Sequence, residues 1–124
     1  LYSGTPEQQG KARDLERIID LRIGGPMGAY GHATKSPLGR PPEPEKAAQY
    51  LKALQTPLDL LERLLSDERP LLGGDHVHVA DCTMQASLQF MRFIEADVFG
   101  DRPLLRAWDK RYRERPAAQT VLKW

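Results

Sequence analysis

One stretch restricts the fold more than any other. From Val79 to Val98 the chain carries Met84, Ala86, Leu88, Phe90, Met91, Phe93, Ile94 and Val98, with Phe99 just beyond. Wound as a helix, these side chains point in nearly every direction and leave no clean polar face. Such a helix holds in water only when other helices surround it, so the pattern predicts the central member of a bundle.

The rest of the chain offers amphipathic cover. Thr5-Pro6-Glu7-Gln8 opens a first helix: Thr5 can cap, Pro6 suits the first helical position, and Glu7 lies at the positive end of the dipole. Ala12, Leu15, Ile19 and Ile23 recur at three- and four-residue spacing with Ile18 beside them, opposite Arg13, Arg17 and Asp20. Gly24-Gly25-Pro26 punctuates that helix. From Gly24 to Pro44 glycine and proline dominate, ending in Arg40-Pro41-Pro42-Glu43-Pro44, and the expectation is a long loop. Most connections are about 4–6 residues, so one of this length is functional or mobile.

A second helix follows, with Ala47, Tyr50 or Leu51, Leu54, Leu58, Leu61 and Leu65 on its apolar face. Pro57 removes a backbone donor inside it, which predicts a kink near Gln55-Thr56. A turn over Arg69 to Asp75 precedes the central helix. Pro103 opens a further helix carrying Leu104, Leu105, Trp108 and Tyr112, Arg115-Pro116 stops it, and Ala117 to Trp124 reads as a short closing helix. No strand pattern and no internal repeat is visible. The expectation is an all-α bundle of about five helices, a single domain spanning residues 1–124.

Charge and composition narrow the partners. The 18 basic and 17 acidic residues leave a net charge of +1, so no global field holds nucleic acid or an anionic membrane. The run Arg102, Arg106, Lys110, Arg111, Arg113 and Arg115 is interleaved with Asp101, Asp109 and Glu114, and reads as a solvated face. No apolar run approaches the roughly 18 residues a membrane span requires. The single Cys82 cannot close an intrachain bridge, which agrees with a reducing cytoplasm. The chain opens on Leu1-Tyr2-Ser3 with no leader pattern, as an excised piece or an unusually processed form would.

Leu71-Leu72-Gly73-Gly74-Asp75 followed by Val79-Ala80-Asp81-Cys82-Thr83 resembles the C-terminal helical domain of the glutathione S-transferase family. The likeness continues through Pro103-Leu104-Leu105-Arg106-Ala107-Trp108 to Arg115-Pro116-Ala117. Leu1-Tyr2 with Gly4-Thr5-Pro6-Glu7 looks like the point where that family's chain leaves its first domain. One position departs: His78 stands where the family usually places Ser or Thr. The resemblance implies a thioredoxin-like N-terminal domain, absent from this chain, that binds glutathione and activates its thiol. The helical domain then supplies one wall of the hydrophobic-substrate pocket and part of a homodimer contact. The parent protein would be a cytoplasmic enzyme joining glutathione, a co-substrate rather than a cofactor, to hydrophobic electrophiles. This chain alone would be inactive and would hold no catalytic residue. The alternative is a non-catalytic assembly module of the same fold, as translation factors use.

On that resemblance, Met27, Tyr30 and His32 fall where the family builds its substrate wall, and Arg13, Arg17 and Asp20 border the glutathione cleft. The residues themselves also allow a solvated first helix and a loop that merely packs on the bundle. His76 and His78 form an H-x-H pair beside Asp75 and Asp81, yet no third histidine is near, and a turn leading into a helix cap is preferred to a metal site. Cys82 reads as a small buried side chain rather than a nucleophile. With His78 at the cap, Asp81 occupies the third helical position and can reach back to the cap's own N–H. That role gives Asp81→Ala a cost of about 1–2 kcal/mol.

Overall fold

A computed structural model gives the fold and describes residues 4–122, so Leu1-Tyr2-Ser3 and the last two residues of the stretch expected as a closing helix lie outside the described part. Helix α1 (Pro6–Ile18) is followed by a π-helical turn (Ile19–Gly24) and α2 (Gly25–Lys35). Then come α3 (Pro44–Leu64), a 3-10 turn (Leu65–Asp67), α4 (Val79–Phe93), α5 (Pro103–Glu114) and α6 (Pro116–Val121). No strand occurs among the described residues, and an isolated bridge pairs Leu71 with Gly74. The class is all-α.

The first helix begins as its residues dictate. The Thr5 hydroxyl accepts the Gln8 N–H at 3.2 Å, and Gln8 Oε1 accepts the Thr5 N–H at 2.8 Å. Its end does not fall where the glycines suggest. Ile18, Ile19, Gly24 and Gly25 all keep right-handed helical torsions, so α1, the π turn and α2 run on as one rod. The stretch expected as a loop from residue 24 is therefore helical as far as Lys35. Counted with that rod, the described residues form five helical members.

Two local facts explain the correction. The Gly25 N–H donates to the Asp20 carbonyl, five residues back, and the widened turn relieves the crowding that the ring of Pro26 would otherwise cause. Gly24 and Gly31 are demanded by packing. A Cβ on Gly31 would lie 2.4 Å from Phe90 Cε2, and one on Gly24 would lie 2.9 Å from Ser87 Oγ. Glycines that look like loop signals in one dimension are the contact strip on which the rod meets α4.

Helix α3 passes Pro57 without interruption, burying Ala47, Leu54, Leu58 and Leu61. Helix α4 stops at Phe93, five residues short of Val98. Glu95 adopts the left-handed conformation (φ 60°), its N–H donates to the Arg92 carbonyl at 3.0 Å, and the Ala96 N–H donates to the Met91 carbonyl at 2.8 Å. These paired bonds close a helix end. Glutamate gives no sequence cue for that turn, and the apolar pattern persists because Val98 and Phe99 remain buried after the helix has ended. Nor is α4 covered all round, since Ala86 and Phe93 stand exposed.

The core gathers Ile19, Ile23 and Met27 from the rod with Leu54, Leu58 and Leu61 of α3. Met84, Leu88 and Met91 of α4 and Leu105 and Trp108 of α5 complete it, and Trp108 is fully buried.

Candidate functional site

A fully buried polar arrangement lies at the start of α4. Asp81 is fully buried and accepts three hydrogen bonds. Its Oδ1 takes the Leu72 N–H and the Trp108 Nε1–H, each at 2.8 Å, and its Oδ2 takes the His78 N–H at 3.0 Å. One carboxylate thus joins the turn before α4, the first turn of α4 and the middle of α5. All its oxygens face protein donors, so its chemistry here is structural. The His78 ring Nδ1 lies 2.6 Å from the His76 carbonyl, and the ring covers Gly73, where a Cβ would come within 1.9 Å of it. Among the described residues no three His, Cys, Asp or Glu side chains gather closely enough to hold a metal ion.

Met27, Tyr30 and His32 are not brought into one cavity. Met27 is buried in the core, with 1% of its surface exposed. Tyr30 is half-buried beside α3, in an apolar groove with Ala33, Pro42, Pro44, Ala47 and Leu51. His32 faces the other way: its ring lies 5.2 Å from that of Phe90, and its Nδ1 is 2.9 Å from the Ser36 hydroxyl. Arg13, Arg17 and Asp20 are exposed on the outer side of the rod.

Cys82 is half-buried rather than buried. The Tyr112 hydroxyl donates to its Sγ at 3.6 Å. Burial, reinforced by that bond, pushes the Tyr112 phenol up to about 12. A folded-state value raised above the unfolded one means that Tyr112 contributes stability below about pH 10, lost as pH climbs towards 12. The thermal midpoint should therefore fall across that alkaline window, and Tyr112→Phe should flatten the fall. Phenolate absorbance at alkaline pH should show one late-ionising tyrosine in the parent sequence that is missing from the variant.

The basic run at the end of the chain is more engaged than a solvated face would be. Arg106 pairs with Asp97 at 2.6 Å and holds that carboxyl below its usual range, and Arg111 donates to the Pro70 carbonyl at 3.0 Å. Arg102 is buried. It donates to Asp59, to the Phe99 carbonyl and to both the carbonyl and the side chain of Gln55. Sequence reasoning also missed two groups that pin α5. Glu62 on α3 accepts the Leu104 N–H at 3.1 Å and the Leu105 N–H at 2.8 Å, capping α5 from a neighbouring helix. Gln85 and Arg92 on α4 both donate to Asp109 Oδ1, and Arg92 also donates to Gln85 Oε1. No local pattern marks these partners, because each pair is set by helix placement.

A bundle of this fold has known counterparts. The family model described as "Glutathione S-transferase, C-terminal domain" matches residues 44–111. The chain belongs to that family. Glutathione S-transferase 2 of Saccharomyces cerevisiae is 30% identical over 99% of this chain and 54% of its own length. The class-mu 26 kDa isozyme 7 of Fasciola hepatica is 27% identical over 99% of this chain and 52% of its own length. Among solved structures, Gtt2 of Saccharomyces cerevisiae superposes with a TM-score of 0.81 at 26% identity, over 98% of this chain and 60% of that one. The chain thus spans about half the length of the curated relatives it matches. No helix among the described residues is long and apolar enough to cross a membrane.

Proposed function

We propose that this chain is the helical half of a cytoplasmic glutathione transferase. The observation that carries the reading is its 30% identity to a glutathione S-transferase across 99% of its length, while that relative is nearly twice as long. In this reading an upstream thioredoxin-like domain binds glutathione, the co-substrate, and supplies the group that activates its thiol. The helical half forms a wall for hydrophobic electrophiles to which either Tyr30 or His32, on opposite sides of α2, contributes, with Met27 as core packing behind them. Arg13, Arg17 and Asp20 border the glutathione side, and a second copy completes a homodimer.

Thiolate stabilisation needs groups that the reading assigns to the upstream domain. Residues 1–124 alone are therefore expected not to accelerate the reaction of glutathione with a model aryl halide. A rate above background that disappears in Cys82→Ala or Tyr30→Phe would overturn the assignment. The full-length parent should be retained on immobilised glutathione and should turn over the same halide. Retention without turnover of a panel of electrophiles would favour the assembly-module alternative.

A further inference from the structure

The two aromatic candidates for the substrate wall differ in how firmly they are held. His32, in the last turn of α2, is half-buried, and its ring lies 5.2 Å from the half-buried ring of Phe90, tilted 49° to it. Its Nδ1 is 2.9 Å from the Ser36 hydroxyl, which already accepts the Leu38 N–H at 3.2 Å. That hydroxyl has one proton to give, and Nδ1 is the acceptor it meets among the described residues. In the neutral imidazole this leaves Nδ1 bare and places the ring proton on Nε2. Nε2 has no partner among the described residues, and no buried side-chain nitrogen or oxygen there lacks one, so Nε2–H opens to solvent. Tyr30 stands instead in an apolar groove, and nothing among the described residues bonds its hydroxyl.

A tethered N–H donor beside an aromatic ring suits one class of electrophile. We propose that His32 donates a hydrogen bond to the carbonyl oxygen of α,β-unsaturated carbonyl substrates whose apolar part lies against Phe90; the proposal rests on the functional reading above and names its substrate class. As the thiolate sulfur of glutathione bonds to the β-carbon, the π pair of the C=C bond shifts towards the carbonyl, and its oxygen takes the negative charge of an enolate. Nε2–H donates to that oxygen and keeps its proton. The α-carbon then takes a proton from water, the carbonyl re-forms, and the proton released earlier by the thiol neutralises the hydroxide. A donor aimed where charge develops lowers the barrier most, and a ring already held by Ser36 and Phe90 needs no reorganisation at that moment. Ser36 is a positioning residue, acting through the imidazole it holds.

The full-length parent tests this with two substrates. Benzylideneacetone is an aromatic enone, and benzyl chloride has the ring but no oxygen to take charge. The quantity read is the ratio of their kcat/KM values. His32→Phe keeps an aromatic ring and removes the donor, and should lower the ratio by about 100-fold, the scale of a lost oxyanion donor. His32→Gln returns an amide N–H near the place of Nε2 and should recover most of that loss. A fall of less than about tenfold in His32→Phe, or a larger fall in Tyr30→Phe, overturns the proposal. Proton–nitrogen NMR correlations of the wild-type parent at alkaline pH give a readout that needs no variant to fold. They should show the neutral His32 ring protonated at Nε2 and bare at Nδ1, and a proton on Nδ1 overturns the proposal by itself. The functional reading survives either result as long as the wild-type parent is retained on immobilised glutathione and turns over benzyl chloride. Failure of both in the wild type would sink the reading and this proposal with it.

Discussion

Asp81→Ala should be among the most damaging single substitutions in this chain, at a cost of about 3–5 kcal/mol. The N-cap role alone accounts for about 1–2 kcal/mol, the loss of one capping bond. The larger figure follows from what the carboxylate does elsewhere. Removing it strands the buried N–H of Leu72 and the indole N–H of Trp108, both fully buried, together with the N–H of His78. An unsatisfied buried donor costs roughly 1–3 kcal/mol. Asp81→Asn keeps an acceptor for Trp108 and Leu72 but turns an amide towards the His78 N–H, so it should cost less than alanine. Urea unfolding at neutral pH, followed by tryptophan fluorescence, measures both. If alanine costs no more than 2 kcal/mol, the three bonds are not acting as one unit.

Arg102→Ala should cost about 2–3 kcal/mol. The guanidinium is the bolt between α3 and α5: it reaches Asp59 at 2.9–3.0 Å, the Phe99 carbonyl at 2.9 Å and the Gln55 side chain at 2.8 Å. Its substitution leaves a buried carbonyl without its donor. Lysine keeps the charge and loses the planar fork, so Arg102→Lys should recover less than half of the loss. Arg106 provides the contrast. It pairs with Asp97 on the exposed surface, and Arg106→Ala should shift stability by about 0–1 kcal/mol, less at high salt. Equal effects at the two positions would contradict the buried clamp.

These two residues show how local signals and tertiary placement divide the fold. Periodicity alone located α1, α3 and α5, because each buries one stripe and the stripe is written at three- and four-residue spacing. The caps of α1 and α4 were legible for the same reason, since their partners lie three residues apart. Asp81 could be assigned to a helix start from its neighbours, but its bond to Trp108 spans 27 residues and leaves no trace in either segment.

Glycine misled most. Gly24 and Gly31 lie in a stretch whose composition reads as a loop, and the sequence alone offers no way to distinguish a glycine that turns the chain from one that admits a neighbouring helix. The same limit hid Arg102, which belongs by spacing to a charged surface run and by position to the core. The spread of Tyr30 and His32 onto opposite sides of α2 likewise depends on where α3 and α4 lie. By itself the sequence determined an all-α chain, the starts of α1, α4 and α5, and its family likeness, all consequences of side-chain chemistry at short range. The tertiary structure alone decided which polar groups become buried and which glycines are contacts, because burial is a property of helix placement and not of any one segment.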